Sequence, residues 1–253
     1  MMLAEERRIQ LVKWSRSEGR IDATDAATRL NVAIETVRRD LDILQKSGMV
    51  RRVHGGAIAV DRIPHEFNLR ERRSTNIEAK RRIASVASSQ IPSEGAIFVD
   101  GGTTTEMLAE YLIDRPKLLV ITNSIPLGNL VAESSTPVHL LSGRLRSTTL
   151  SALGSRTLSE IETFRAQVVF LGANGVSVSA GFTTSDPEEA AVKQAMIKNA
   201  QEKIVLADST KCEAIFPSVF SDGSDLDRLI TDIDAPETFV EGFVADGLEV
   251  MLA

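Results

Sequence analysis

The chain is poor in the residues that build covalent and metal-bound frameworks. Its 253 residues hold one cysteine, Cys212, and three histidines. A single thiol excludes an intramolecular disulfide and any cysteine-based zinc site, and it fits a reducing cytoplasm. His65 has no partner at ligand spacing, so a solvated histidine is expected there and no metal or cofactor is implied. Aromatic residues make up 4% of the chain, with one tryptophan and one tyrosine. Long apolar runs are also missing. The uncharged stretch 166–185 is interrupted by Gly172, Asn174, Gly175, Gly181 and several serines, which excludes a membrane helix there. The opening Met-Met-Leu-Ala-Glu-Glu-Arg-Arg lacks the basic-then-apolar order of a secretory signal. What is present is ordinary for a globular protein: 43% hydrophobic and 25% charged residues, enough for a small domain and a medium one.

The net charge of −6 is unevenly spread. Residues 1–60 carry 11 Lys/Arg against 8 Asp/Glu, and all of the acidic excess lies beyond them. A mildly basic head on an acidic body suggests that only the head meets a phosphate backbone.

In the head, periodicity predicts helices over about 5–17, 23–30 and 34–47. Ile9, Leu11 and Val12 fall on or beside one stripe, and Gly19 stops the first helix. Asp22 is a plausible N-cap for the second helix, whose Ala26, Ala27 and Leu30 face inward. Asn31-Val32 makes a tight turn. Val37, Leu41 and Leu44 form the buried stripe of the third helix. Off that stripe, in its first turns, lie Glu35, Thr36, Arg38 and Arg39. Arg51, Arg52 and His54 precede a Gly55-Gly56 turn in an expected hairpin. A helix that enters a groove beside a basic hairpin is the layout of a winged helix-turn-helix, in which arginine reads guanine or grips phosphate and threonine contacts a thymine methyl or a phosphate. Asp40 is expected to orient an arginine rather than touch DNA. These residues make double-stranded operator DNA the expected partner.

The run 21–57 resembles the DeoR-type family of bacterial transcription regulators. The resemblance rests on Val32, Thr36, Val37, Arg38, Arg39, Asp40 and Leu41, then Arg52, His54, Gly55, Gly56 and Ala57. The chain departs at Ala33, where the family usually has a serine that could cap the recognition helix and touch a phosphate. Residues 1–57 are thus assigned to a winged helix-turn-helix domain. Residues 58–75 are read as a polar linker that docks through Phe67, and 76–253 as a second domain.

The second part alternates helix and strand. Strands are expected near 96–100, 118–122, 138–142, 167–171, 203–207, 227–231 and 248–252, with helices near 77–90, 105–113, 124–134, 155–163, 187–200 and 236–245. Apolar runs of this kind predict an α/β domain with a mostly parallel sheet covered on both faces, whose ligands bind beyond the carboxyl ends of the strands. That rule points to Asp100, Gly101, Gly102, Thr103, Thr104 and Thr105, where glycine amides and threonine hydroxyls could cradle an anion at a helix start. By chemistry alone an ordinary strand-to-helix turn is an equal reading. The pattern is neither a Walker loop nor a full dinucleotide fingerprint. Asn123, Arg144, Gly172, Asn174 and Lys211 end other strands in the same way. Glu189 and Lys193, four apart on one helix, suit either a ligand role or a simple i, i+4 pair.

The resemblance extends over this part as well, through Asp100 with Gly102-Thr103-Thr104, Thr122-Asn123-Ser124, Gly143-Arg144-Leu145-Arg146, Leu171 to Gly175, Glu189 to Lys193 and Asp208 to Lys211. It implies a fold like ribose-5-phosphate isomerase, a phosphorylated sugar as effector, and self-assembly into dimers or larger forms. The rival reading is a sugar-phosphate isomerase with an added head. The isomerase family carries an acidic pair where this chain has Asn174-Gly175, so the expected base is missing.

Overall fold

The computed structural model describes residues 4–46, 49–59, 66–67 and 69–253. The chain divides into two compact units, residues 1–65 and 66–253.

The first unit runs α1 (Ala4–Glu18), β1 (Arg20–Asp22), α2 (Ala23–Leu30), α3 (Ile34–Lys46), β2 (Val50–Val53) and β3 (Gly56–Ala59). Its helices lie where periodicity puts them. The Asp22 side chain caps α2, accepting from Thr24 N at 2.8 Å and Asp25 N at 3.2 Å. Asn31 leaves α2 in the left-handed conformation, with φ of 52°. Leu11, Ile21, Ala26, Val37, Leu41, Leu44 and Val50 form one core. The strand β1 was not anticipated: three residues are too few to show a pattern. It pairs with β3 on the side opposite β2. The two glycines of the wing do different things. Gly55 turns the hairpin at φ of 79°. Gly56 permits close approach, because a Cβ there would lie 1.8 Å from Ile21 O.

The second unit runs α4 (Leu69–Ser74), α5 (Ile77–Ser88), β4 (Gly95–Val99), a 3-10 turn (Thr105–Leu108) leading into α6 (Ala109–Leu112), β5 (Leu118–Thr122), α7 (Ile125–Ala132), β6 (Val138–Leu140), β7 (Arg144–Arg146), β8 (Ser151–Leu153), α8 (Ser155–Ile161), β9 (Ala166–Gly172), β10 (Gly175–Ser177), β11 (Gly181–Thr184), α9 (Pro187–Lys198), β12 (Ala200–Leu206), β13 (Ser218–Ser221), β14 (Arg228–Thr231), α10 (Glu237–Ala245) and β15 (Glu249–Leu252). Seven strands form a parallel sheet in the order β15-β14-β12-β9-β4-β5-β6. Alternate residues of the central strands feed opposite cores. Val168 and Phe170 of β9 pack with α5, α6 and α7 through Ile83, Leu112 and Leu127. Val169 and Leu171 pack with α8, α9 and α10 through Ile161, Met196 and Phe243. Burial on both faces is why these strands read as unbroken apolar runs.

Two features depart from the expectation. The hairpin β7-β8 and the antiparallel sheet β10-β11-β13 were not foreseen; their strands are three or four residues long, too short to establish a period. The segment expected to link the domains over 58–75 is also shorter at both ends. The wing runs to Ala59, and Glu66, Phe67 and α4 belong to the second unit, with Leu69 buried in it. His65 lies outside the described residues.

Candidate DNA interface and effector site

The first unit presents the start of α3 to solvent. Glu35, Arg38 and Arg39 are exposed and Thr36 is half-buried, while Val37 and Asp40 turn inward. Asp40 accepts from Arg7 Nε at 2.5 Å, both side chains being nearly buried, and Arg8 lies 3.9 Å away. The arginine that Asp40 holds therefore comes from α1, and the pair fixes α3 against α1. The arginines of α3 and the wing differ in readiness. Arg38 is paired with Glu35. Arg52 donates to Gly56 O at 3.0 Å and pairs with Asp42 at 3.1 Å. Arg39 and Arg51 have no such partner among the described residues. His54 sits exposed at the hairpin turn, its carbonyl accepting from Arg20 at 3.1 Å. A groove between α1 and α3 is lined by Arg7, Arg8, Thr36 and Arg39, so α1 adds cations that sequence reasoning passed over. Ala33 stands at the N-cap position of α3, its carbonyl taking Thr36 N at 2.9 Å, and its methyl group supplies no cap.

In the second unit, the loop after β4 is built differently from the expected cradle. Gly101 N is already used, donating to Asn123 Oδ1 at 2.9 Å. A Cβ on Gly101 would fall 2.0 Å from Ser151 Oγ, so glycine is needed for packing rather than for ligand access. Thr105 is fully buried and its hydroxyl donates to Asp100 O and Gly102 O. The helix that follows is only a 3-10 turn and four α-helical residues. What the loop leaves open, among the described residues, is the amides of Gly102, Thr103 and Thr104 and the hydroxyls of Thr103 and Thr104, which have no partner there. The segment Thr122-Asn123-Ser124 is likewise architectural: Thr122 Oγ1 donates to Val99 O at 2.6 Å and Ser124 caps α7.

Glu189 and Lys193 do not pair with each other. Lys193 reaches the Asp100 carboxylate and donates to Gly172 O at 2.9 Å, while Gly172 N donates to Asp100 Oδ2 at 3.2 Å. Glu189 instead accepts from Thr184 at 2.8 Å, Thr149 at 2.9 Å and Arg146 at 3.4 Å. Asn174 joins the same group through Thr184, at 3.2 Å. Arg144, expected at the site, is exposed and paired with Glu188. Arg146, two residues on, is the arginine brought in. It contacts Glu66, Asp186 and Glu189, and these acids raise its already high pKa further despite burial.

Glu66, Arg72 and Lys80 escaped the sequence reading because they lie in or next to the expected linker. Glu66 sits between Arg146 and Arg72, with Arg72 Nη1 at 3.6 Å. Burial would raise its carboxyl, but hydrogen bonds from Arg146 and Ser185 and the charges of both arginines hold it below the usual carboxylate range. Lys80 is buried, donating to Arg72 O and to Thr75 O at 2.7 Å, and burial depresses it to about 8. Lys211, in the 3-10 turn after β12, is also pushed down by burial, partly offset by Asp208. Asp208 accepts from Asn76 at 3.2 Å and from Thr210 N at 3.1 Å, and its other oxygen is buried without a partner among the described residues.

Comparison with known proteins agrees with this division. Residues 7–62 match the DeoR-like helix-turn-helix domain and residues 75–233 the DeoR C terminal sensor domain. The chain is 32% identical over 233 residues to a Bacillus subtilis (strain 168) protein described as an uncharacterized HTH-type transcriptional regulator FruR, covering 92% of this chain and 93% of that one. It is 35% identical over 235 residues to the lactose phosphotransferase system repressor of Streptococcus mutans, covering 91% and 93%. A likeness to ribose 5 phosphate isomerase A from Neisseria gonorrhoeae is loose, at 20% identity and a TM-score of 0.40 over 56% of each chain. The relatives are named as regulators and repressors rather than enzymes, which sets the isomerase reading aside. The two matched domains together span most of the chain, and the protein belongs to the DeoR family of transcription regulators.

Proposed function

We propose that this protein represses carbohydrate-metabolism genes by binding double-stranded operator DNA as a homo-oligomer, and that a phosphorylated sugar in the second unit modulates that binding. The observation that carries the effector half is the collection of cations at the carboxyl ends of the parallel strands: Arg72, Lys80, Arg146 and Lys211 beside the open amides of Gly102 to Thr104. Glu35, Thr36, Arg38, Arg39, Arg51, Arg52 and His54 contact the DNA in this reading. Two relatives are named for sugar or phosphate-ester systems, the lactose phosphotransferase system repressor above and a glycerol-3-phosphate regulon repressor of Escherichia coli (strain K12), 31% identical over 204 residues. Of the expected effector residues, Gly102, Thr103, Thr104 and Lys211 would touch the ligand. Asp100, Gly101, Thr105, Asn123, Gly172 and Lys193 would shape the loop, and Asn174 and Glu189 would set the far wall.

The effector must bind the DNA-competent and incompetent states with different affinity, or it shifts nothing. The test is an anisotropy titration against DNA upstream of neighbouring genes, with a panel of phosphorylated sugars. Specific binding that one sugar phosphate alters supports the reading. Binding that none alters removes the effector assignment and keeps the DNA assignment.

A further inference from the structure

Arg146 is surrounded by more negative charge than it can balance. Asp186 Oδ2 lies 3.0 Å from its Nε and Glu189 Oε1 3.4 Å from its Nη1, and Glu66 engages both Nη atoms. Asp186 and Glu189 have other work. Asp186 caps α9 through Glu188 N at 2.8 Å, and Glu189 accepts from Thr149 and Thr184. Glu66 is different. It precedes the first helix of the unit, and its contacts are the two arginines with Asn174 Nδ2 at 3.4 Å and a hydrogen bond from Ser185. Its partner Arg72 is left incomplete. Arg72 Nη1 is buried with no hydrogen-bond partner among the described residues, and Nη2 comes within 4.0 Å of the point where a Cβ on Gly102 would sit. Arg72 therefore stands between the Glu66 carboxylate and the loop of unpaired amides. A carboxylate held by two guanidiniums and an amide N–H has the partners that a phosphate monoester would choose.

We propose that Glu66 is a tethered stand-in for the effector's anionic group, occupying its subsite between Arg72 and Arg146 and leaving when the effector's phosphate enters. This inference rests on the effector reading above and adds how that site is regulated. The two anions exclude each other: with Glu66 in place, a phosphate would meet three carboxylates around Arg146. The effector therefore binds only the form in which Glu66 has been released, which supplies the difference in affinity that a population shift requires. Glu66 is the first residue of the second unit, so its release loosens the N-terminal end of that unit.

The test uses the full-length protein and inorganic phosphate as probe, by isothermal titration calorimetry with hydrogen exchange on the peptide spanning 66–72. Glu66→Gln should tighten phosphate binding about tenfold or more, in the range of ordinary coupling free energies. Glu66→Ala should act in the same direction. Glu188→Gln, an equal loss of charge outside the subsite, should change it less than about twofold. Phosphate should raise exchange in the 66–72 peptide of the wild type, and Glu66→Gln should show the raised level without phosphate. Equal affinity in the wild type and both Glu66 variants, or no rise in exchange, overturns the proposal. If sugar phosphates alter operator binding in the same preparation while Glu66→Gln changes nothing, only the stand-in role fails. If no phosphate compound binds or alters operator binding, the effector reading fails with it.

Discussion

Lys193 and Asp100, 93 residues apart, form a buried ion pair that closes on both the amide and the carbonyl of Gly172. The pair ties α9 to the ends of β4 and β9, and so holds the loop Gly101 to Thr104 over the carboxyl edge of the sheet. A lysine and an aspartate that look like ligand groups in the sequence are thus spent on each other.

Removing one member should unfold before it unbinds. Lys193→Met leaves the Asp100 carboxylate buried and unpaired, which costs about 3–5 kcal/mol. Urea denaturation of the second unit's transition should show that loss, while operator binding at low temperature stays near wild type. A stability change under about 1 kcal/mol would mean that water or a ligand already serves Asp100.

On α3 the two neighbours Arg39 and Asp40 should separate cleanly. Arg39 is exposed and free of partners among the described residues, so Arg39→Ala should leave stability within about 0.5 kcal/mol. It should weaken operator binding by about 1–3 kcal/mol if it reads a base, or lower the salt slope by about one unit if it grips a phosphate. Asp40→Ala strands Arg7 in the interface of α1 and α3 and should destabilise the first unit by about 3 kcal/mol or more. Equal effects of both substitutions on DNA binding at matched folded fraction would misplace the recognition face.

The fold was readable where burial writes a period into the sequence. The strands at the centre of the sheet, buried on both faces, and α2 and α3, each with a clear stripe, lie within a few residues of their expected positions. The site was readable only in part. Arg144 and Arg146 alternate identically along β7, and nothing local says that one pairs with Glu188 at the surface while the other meets Glu66. The Glu66–Arg72 segment reads as a solvated linker because its partners lie 80 and 108 residues away, on β7 and after β9.

Lys80 predicts a dependence on pH. Burial lowers it to about 8 in the native state, against an ordinary lysine value near 10.5 when unfolded. Below about 8 both states hold the proton and the cost of burying the charge is fully present. Between about 8 and 10.5 the unfolded chain holds more protons, so stability rises with pH across that window. Denaturation midpoints of wild type minus Lys80→Met should carry that slope; a difference that is flat from pH 8 to 10 would show that Lys80 titrates normally. Anion binding runs the other way, because the site loses a positive charge above about pH 8.

Ala33 offers a test that separates folding from DNA contact. It occupies the N-cap of α3, is exposed, and leaves the first amides of the helix without a side-chain acceptor. Ala33→Ser and Ala33→Asp both supply one, and each should stabilise the first unit by about 1 kcal/mol in thermal or urea unfolding. Their effects on DNA should diverge. A serine hydroxyl at this exposed helix start can also donate to a phosphate oxygen, so Ala33→Ser should tighten operator binding. A carboxylate in the same place repels the backbone, so Ala33→Asp should weaken it, most at low salt, and make the salt dependence shallower. If both variants stabilise and neither changes DNA affinity, the N-terminus of α3 does not approach the phosphate backbone, and the docking of this helix must be redrawn around Arg39 and the wing alone.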